Sequence, residues 1–150
     1  MTPEEIFEAV RSVSEQIPFN HHLGLRVEEF GEDRISVVFD ARPELVGNFA
    51  TGVLHGGVIS STLDLVGGLT ALSSVLKMQR PASLDQVGNT FSRFGTIDLR
   101  VDYLRPGAGA SFRASGTTLR AGRRVVVTRM EMHNELGELI ALGTGTYMTG

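Results

Sequence analysis

The chain contains no cysteine. Disulfide staples, thiolate nucleophiles and sulfur-based metal sites are therefore excluded, and a reducing compartment such as the cytoplasm fits. There is no basic surplus either: 14 Lys and Arg stand against 17 Asp and Glu, a formal charge of −3. Without such a surplus a general phosphate-neutralising nucleic-acid surface is not expected. The first residues, MTPEEIFEAV, lack the charged-then-apolar layout of a secretory signal. The most informative deficit is local. Between Glu44 and Lys77 only one ionised side chain occurs, Asp64, with His55 the other polar titratable group.

What is present suits a globular protein. The 150 residues are 41% hydrophobic and 21% charged. That length suggests one domain spanning residues 1–150, and such a domain buries about 68–70% of the surface of its unfolded chain. Val53–Leu76 is long enough for a membrane span, but Asp64 near its middle would cost about 2.5–3.5 kcal/mol there. Ser60, Ser61, Thr62, Thr70, Ser73 and Ser74 dilute it further. A helix buried in the protein's own core is the expected form.

Periodicity predicts the remaining elements. Thr2-Pro3-Glu4-Glu5 is a capping box with proline at the first helical position. Ile6, Val10, Val13 and Ile17 continue at helical spacing until Pro18. Leu25–Phe30 and Arg34–Ala41 read as strands around a Gly31-Glu32-Asp33 turn, and Arg42–Thr51 as a loop. After the apolar helix, Met78–Gly95 reads as a long polar loop with at most a helical turn, of the kind that forms lids or binding loops. Four strands follow: Thr96–Leu104, Ser111–Leu119, Arg123–Asn134 and Leu139–Met148. Turns at Arg120-Ala121-Gly122 and Glu135-Leu136-Gly137 make the last neighbours antiparallel. The expected fold is α+β: a curved antiparallel sheet of five to six strands wrapped around one long buried helix, with a short N-terminal helix.

Two features of the apolar segment carry chemistry. His55-Gly56-Gly57 opens the helix, and glycines there expose backbone N–H groups along the helix dipole. That arrangement suits an oxyanion hole, where one donor contributes about 2.7–4 kcal/mol in the transition state. It equally suits a tight loop-to-helix turn. Asp64 has no Lys or Arg within twelve residues on its helix. It must be bonded by donors from elsewhere, protonated, or facing a cavity, and in the last case it can act as general base or nucleophile. Gly56 and Asp64 lie eight residues apart, about 12 Å along a helix. One chain cannot bring both to the same carbonyl. If both act in one reaction, the site lies between two chains and occurs twice in a two-fold dimer.

At this point the sequence resembles a family. His55-Gly-Gly with Asp64 nine residues after the histidine is similar to the hotdog-fold acyl-CoA thioesterases of the phenylacetate-pathway type. The resemblance extends through Gly95-Thr-Ile-Asp-Leu-Arg-Val-Asp-Tyr-Leu-Arg-Pro-Gly107 and Thr144-Gly-Thr-Tyr-Met148. The segment Val46-Gly-Asn…Leu54-His-Gly-Gly-Val-Ile and the insert before Gly95 resemble the bacterial medium/long-chain enzymes of that family. The resemblance implies hydrolysis of acyl-CoA to free acid and CoA by a homodimer or dimer of dimers, with no cofactor and no metal. It further implies that the Gly56 N–H polarises the thioester carbonyl while Asp64 of a partner activates water or attacks directly. His55 would support the loop or touch the thioester. Thr96, ten residues before Pro106, would orient the acid or water. The family tends to carry Asn or Gln six residues before the histidine; here that position is Phe49, with Asn48 one earlier.

Substrate-binding candidates are Asn48, Gly57, Arg105, Arg123 and Arg124, the arginines for coenzyme A phosphates, and Phe91 and Phe94 for an acyl tunnel. The competing readings of these residues are solvated turns and core packing. Two alternatives to hydrolysis are a hotdog hydratase or dehydratase and a non-catalytic acyl-CoA sensor. The first commonly needs Asp five residues before the histidine, where this chain has Ala50. The second usually adds a DNA-binding segment.

Overall fold

The computed structural model describes residues 1–150. Helix α1 (Pro3–Gln16) starts at the expected capping box: the Thr2 hydroxyl accepts from Glu5 N and the Glu5 carboxylate from Thr2 N. Pro18 ends that helix and also begins another. Helix α2 (Pro18–Leu23) uses the proline at its first position, and Gly24 closes it in the left-handed conformation. Strands β1 (Arg26–Phe30) and β2 (Ile35–Asp40) follow as a hairpin.

The stretch expected as a loop carries structure. A 3-10 turn at Pro43–Leu45 leads into β3 (Val46–Asn48), which pairs with β4 (Val53–Leu54) in a small separate sheet. Helix α3 (Gly56–Gln79) then runs through the core. The expected long loop after it is instead the end of α3 plus helix α4 (Leu84–Phe91), capped by the Ser83 hydroxyl. Gly88 and four polar side chains mask the apolar stripe of α4, formed by Leu84, Val87 and Phe91 at helical spacing.

Strands β5 (Gly95–Tyr103), β6 (Ser111–Ala121), β7 (Val125–Asn134) and β8 (Leu139–Met148) complete a six-stranded antiparallel sheet of order β1-β2-β6-β7-β8-β5. Inward residues alternate with outward ones: Ile35, Val37 and Phe39 on β2, Phe112 and Ala114 on β6, Val126, Met130 and Met132 on β7 are all buried. All but Val126 pack on Leu63, Val66, Leu69 and Leu72 of α3 in the main core cluster, while Val126 joins Ala71, Val75 and Tyr147 in a smaller one. This is the curved-sheet-around-a-helix architecture expected from the sequence. By length and composition α3 would pass for a membrane span, but 67% of its most apolar window is buried within the protein. Its hydroxyls are satisfied internally: Thr62 and Thr70 donate to the carbonyls of Val58 and Val66 one turn back.

Strand β5 forms an edge of the sheet. Its alternating apolar residues are only partly covered within the chain: Leu99 and Val101 are intermediate, whereas Ile97 and Tyr103 are 57% and 53% exposed.

Candidate active site

Asp64 sits on the third turn of α3, where the helix passes the end of the sheet that carries the start of β5 and the end of β8. Register places Thr96 beside Tyr147 across these two strands. The Thr96 hydroxyl donates to Asp64 Oδ1 at 2.9 Å. The Tyr147 hydroxyl lies 3.1 Å from the Asp64 carbonyl oxygen and 3.3 Å from the same Oδ1. Oδ2 accepts nothing within the chain, yet it is not among the occluded polar atoms that lack a partner, so it retains access to solvent. The lone acid is thus anchored through one oxygen and open through the other.

Beside it is a cavity of about 120 Å³ lined by Leu65, Leu69, Leu72, Phe91, Phe94, Thr96 and Tyr147. Helix α4 supplies its far wall, so the segment before Gly95 closes one side of the acid's surroundings. Phe91 also borders a second apolar cleft of about 250 Å³, shared with Val10, Val13, Leu84 and Val87 between α1 and α4. A wider depression on α1, lined by Glu8, Arg11, Glu15 and His21, has no apolar wall and lies outside this region.

The start of α3 is built separately. His55 is the N-cap residue, and its Nδ1 accepts from Gly57 N at 2.8 Å. The imidazole folds over Gly57, where a Cβ would stand 2.9 Å from Nδ1. Gly57 therefore spends its N–H on the cap, and its lack of a side chain makes room for His55. Gly56, at the first helical position, has no intrahelical acceptor, and no loop or cap bond engages its N–H. Its carbonyl accepts from the Tyr103 hydroxyl at 2.9 Å. Of the glycine pair, only Gly56 offers an unused donor.

The other candidates divide between the two ends. Arg105 donates to the Leu139 carbonyl, at the first residue of β8 and so on the Gly56 side. Arg123 and Arg124 lie in the turn between β6 and β7 rather than inside β7, and Arg124 O accepts from Thr149 N just past Tyr147. They are exposed and sit at the Asp64 end of the sheet. Asn48 is exposed and uses its side-chain oxygen to accept from Ala50 N in the β3–β4 turn, at 3.0 Å. Phe49 beside it is 98% exposed.

Two participants escaped the sequence reading, Tyr103 and Tyr147. Tyr147 carries a readable trace: glycines at 67 and 145 clear the space its ring fills. Burial, and then the neighbouring Asp64 carboxylate, push its phenol well above the usual tyrosine range. It remains a neutral donor at any physiological pH.

Comparison with known proteins agrees with this fold. The Thioesterase superfamily model matches residues 51–141. The medium/long-chain acyl-CoA thioesterase YigI of Escherichia coli (strain K12) is 47% identical over 134 residues, 89% of this chain and 86% of the relative. Its counterpart in Salmonella typhimurium is 48% identical over the same shares. A crystal structure from Shewanella oneidensis, of a protein related to the thioesterase superfamily, superposes with a TM-score of 0.92 at 44% identity, covering 99% of this chain and 97% of that one. A solved chain from Syntrophus aciditrophicus gives 0.87 at 36% identity, with 98% and 97% covered.

Proposed function

The chain belongs to the thioesterase superfamily, and from that footing we propose that it hydrolyses medium- to long-chain acyl-CoA to free acid and CoA at a site shared by two protomers. The thioester-hydrolase activity follows from the family and the acyl-CoA thioesterases at 47–48% identity. The observation that carries the site assignment is the Asp64 carboxylate, held through Oδ1 by Thr96 beside an apolar cavity, with Oδ2 accessible.

In this reading Oδ2 is the general base. It takes a proton from water as the water oxygen bonds to the thioester carbonyl carbon. The carbonyl oxygen becomes negative and is received by the Gly56 N–H of the partner protomer. The tetrahedral intermediate then collapses: the C–S bond breaks, and the proton held on Asp64 passes to the departing sulfur. The acyl tail lies in the cavity bounded by Phe91 and Phe94. Arg123 and Arg124, at the same end of the sheet, suit the phosphates of coenzyme A, with Arg105 of the partner a further contact. No cofactor enters this chemistry, and the cytoplasm, where a cysteine-free chain is at home, is the proposed compartment.

Two features support the second protomer. Gly56 and Asp64 are separated by about 12 Å of helix, too far for one thioester. The outer edge of β5, nine residues long, is unpaired and flanked by exposed Ile97, Tyr103 and Leu104. Such an edge is a template for pairing with another strand. A two-fold partner along it brings the paired helices antiparallel, the start of one beside the middle of the other.

Release of free thiol from acyl-CoA esters of two to eighteen carbons tests the activity. Hybrid oligomers test the shared site. Asp64→Asn removes the base, and Gly56→Pro removes the N–H at a position that tolerates proline, since His55 before it is already extended and an added Cβ would meet the Tyr103 ring at 3.4 Å. Each variant alone should be inactive. Co-expressed, they should recover about a quarter of wild-type activity, because half of random dimers are hybrids and each hybrid has one intact site. A site confined to one chain would give no recovery.

A further inference from the structure

Tyr147 is 2% exposed, and its ring occupies a slot cut by missing side chains. A Cβ on Gly145 would stand 2.6 Å from both the ring edge and the hydroxyl oxygen. A Cβ on Gly67 would collide with that oxygen and stand 2.9 Å from the ring carbon bearing it. Gly67 follows Asp64 by three residues on α3, and Gly145 precedes Tyr147 by two on β8. Helix and strand both give way at the one place where a phenol must pass between them to reach Asp64. Packing alone would be met by an aliphatic side chain with alanines at these positions. The slot serves the hydroxyl.

That hydroxyl has one proton and two acceptors, the Asp64 carbonyl and Oδ1. Bridging them ties the carboxylate to its own helix backbone. Thr96 grips Oδ1 from the other side, from edge strand β5. With both donors on one oxygen, rotation about the Asp64 side chain is blocked and Oδ2 is fixed as the free oxygen.

We infer that Tyr147 is a positioning residue for thioester hydrolysis, selecting Oδ2 of Asp64 as the reacting oxygen in concert with Thr96. The inference rests on Asp64 being the base. The Tyr147 ring borders the acyl cavity, but its hydroxyl is engaged by Asp64 and acts through the carboxylate. Because its phenol stays protonated, it is a donor throughout the working pH range.

The test is Tyr147→Phe, which keeps the ring in its slot and deletes the hydroxyl, assayed beside Asp64→Asn and Thr96→Ala. The expected result is a fall in kcat of about tenfold, the loss typical of one hydrogen bond to a charged acceptor, with KM within about twofold. Tyr147→Phe combined with Thr96→Ala should lose more than the product of the single losses, because either hydroxyl alone still restrains Oδ1. Unchanged kcat in Tyr147→Phe, with Asp64→Asn inactive, would overturn the inference and leave the base assignment standing. A lower kcat accompanied by a raised KM and a matching drop in melting temperature would assign Tyr147 to packing and overturn it as well. An active Asp64→Asn would remove the base assignment itself.

Discussion

Gly47 on β3 passes directly against His55, so closely that a Cβ at position 47 would collide with the His55 Cα and stand 2.8 Å from its Cβ. The small β3–β4 sheet thereby fixes the residue that caps α3, and His55 N donates to Leu45 O at 2.8 Å to complete the clamp. Gly47→Ala should displace His55 and the Gly56 N–H together. We expect a stability loss of about 1–3 kcal/mol, typical of overpacking, read as a lower melting temperature, and a fall in thioesterase activity. Wild-type stability and turnover in this variant would show that the clamp is loose.

Asp64→Asn isolates the proposed base. The amide oxygen can still accept from Thr96 and Tyr147, while the reacting position loses its ability to take a proton. Turnover should fall by between about 10² and 10⁴, the range for a general base, with the proposed oligomer intact by sedimentation. Hydrolysis at the wild-type rate would refute the assignment.

Thr96→Ala removes one of two donors on Oδ1 and leaves the base, so it should slow kcat by about tenfold, far less than Asp64→Asn. Thr96→Ser should restore the rate. A Thr96→Ala enzyme as fast as wild type would return the residue to a purely structural place at the start of β5.

Phe91 stands between the 120 Å³ cavity beside Asp64 and the 250 Å³ cleft between α1 and α4. Phe91→Ala should join the two into a space within the roughly 300–1,000 Å³ range of ligand pockets. The ratio of kcat/KM for sixteen-carbon over eight-carbon acyl-CoA should rise, since each extra buried methylene contributes about 0.8 kcal/mol. An unaltered chain-length profile would place the tail elsewhere.

The Glu28–Arg113 pair supplies a pH signature away from the site. Arg113 grips the carboxylate with two bonds of 2.6 and 2.7 Å. That bond, helped by one from Ser36 and opposed by burial, holds Glu28 below its usual pKa of 4.5. A lowered folded-state pKa means stability that is present above the unfolded value and lost as pH falls through the folded one. Both side chains are substantially exposed, so the pair contributes no more than about 1 kcal/mol. Glu28→Gln should melt slightly below wild type at pH 7, and the gap should close as the medium is acidified below pH 4.5. A gap that persists in strong acid would argue against an electrostatic origin.

Much of the architecture was legible because its signals are local. The Thr2–Glu5 box, the period-2 runs of β2 and β5, and the nearly uncharged α3 each state their own conformation in consecutive residues. Elements went unmarked in the sequence where their signal was short or mixed. Strands β3 and β4 have three and two residues, too few for periodicity, and their pairing depends on a crossing at Gly47 rather than on propensity. Helix α4 was hidden by glycine and polar residues on its outer face. Pro18 marked a boundary, but proline stops one helix and starts another with the same fixed φ.

At the site, the sequence by itself determined that a solitary carboxylate lies in an apolar helix headed by glycines, because charge and its absence are visible without coordinates. It also carried Thr96 through family resemblance. Only the tertiary structure decided which oxygen of Asp64 is held and by what. Thr96 and Tyr147 lie 32 and 83 residues away along the chain, and the strand register alone brings their hydroxyls to Oδ1. Which of the two adjacent glycines keeps an unbonded N–H was likewise decided by folding. The imidazole of His55 turns back onto Gly57 and leaves Gly56 with the free N–H, because hydrogen-bond direction depends on side-chain rotamers and cap geometry, which residue order does not encode.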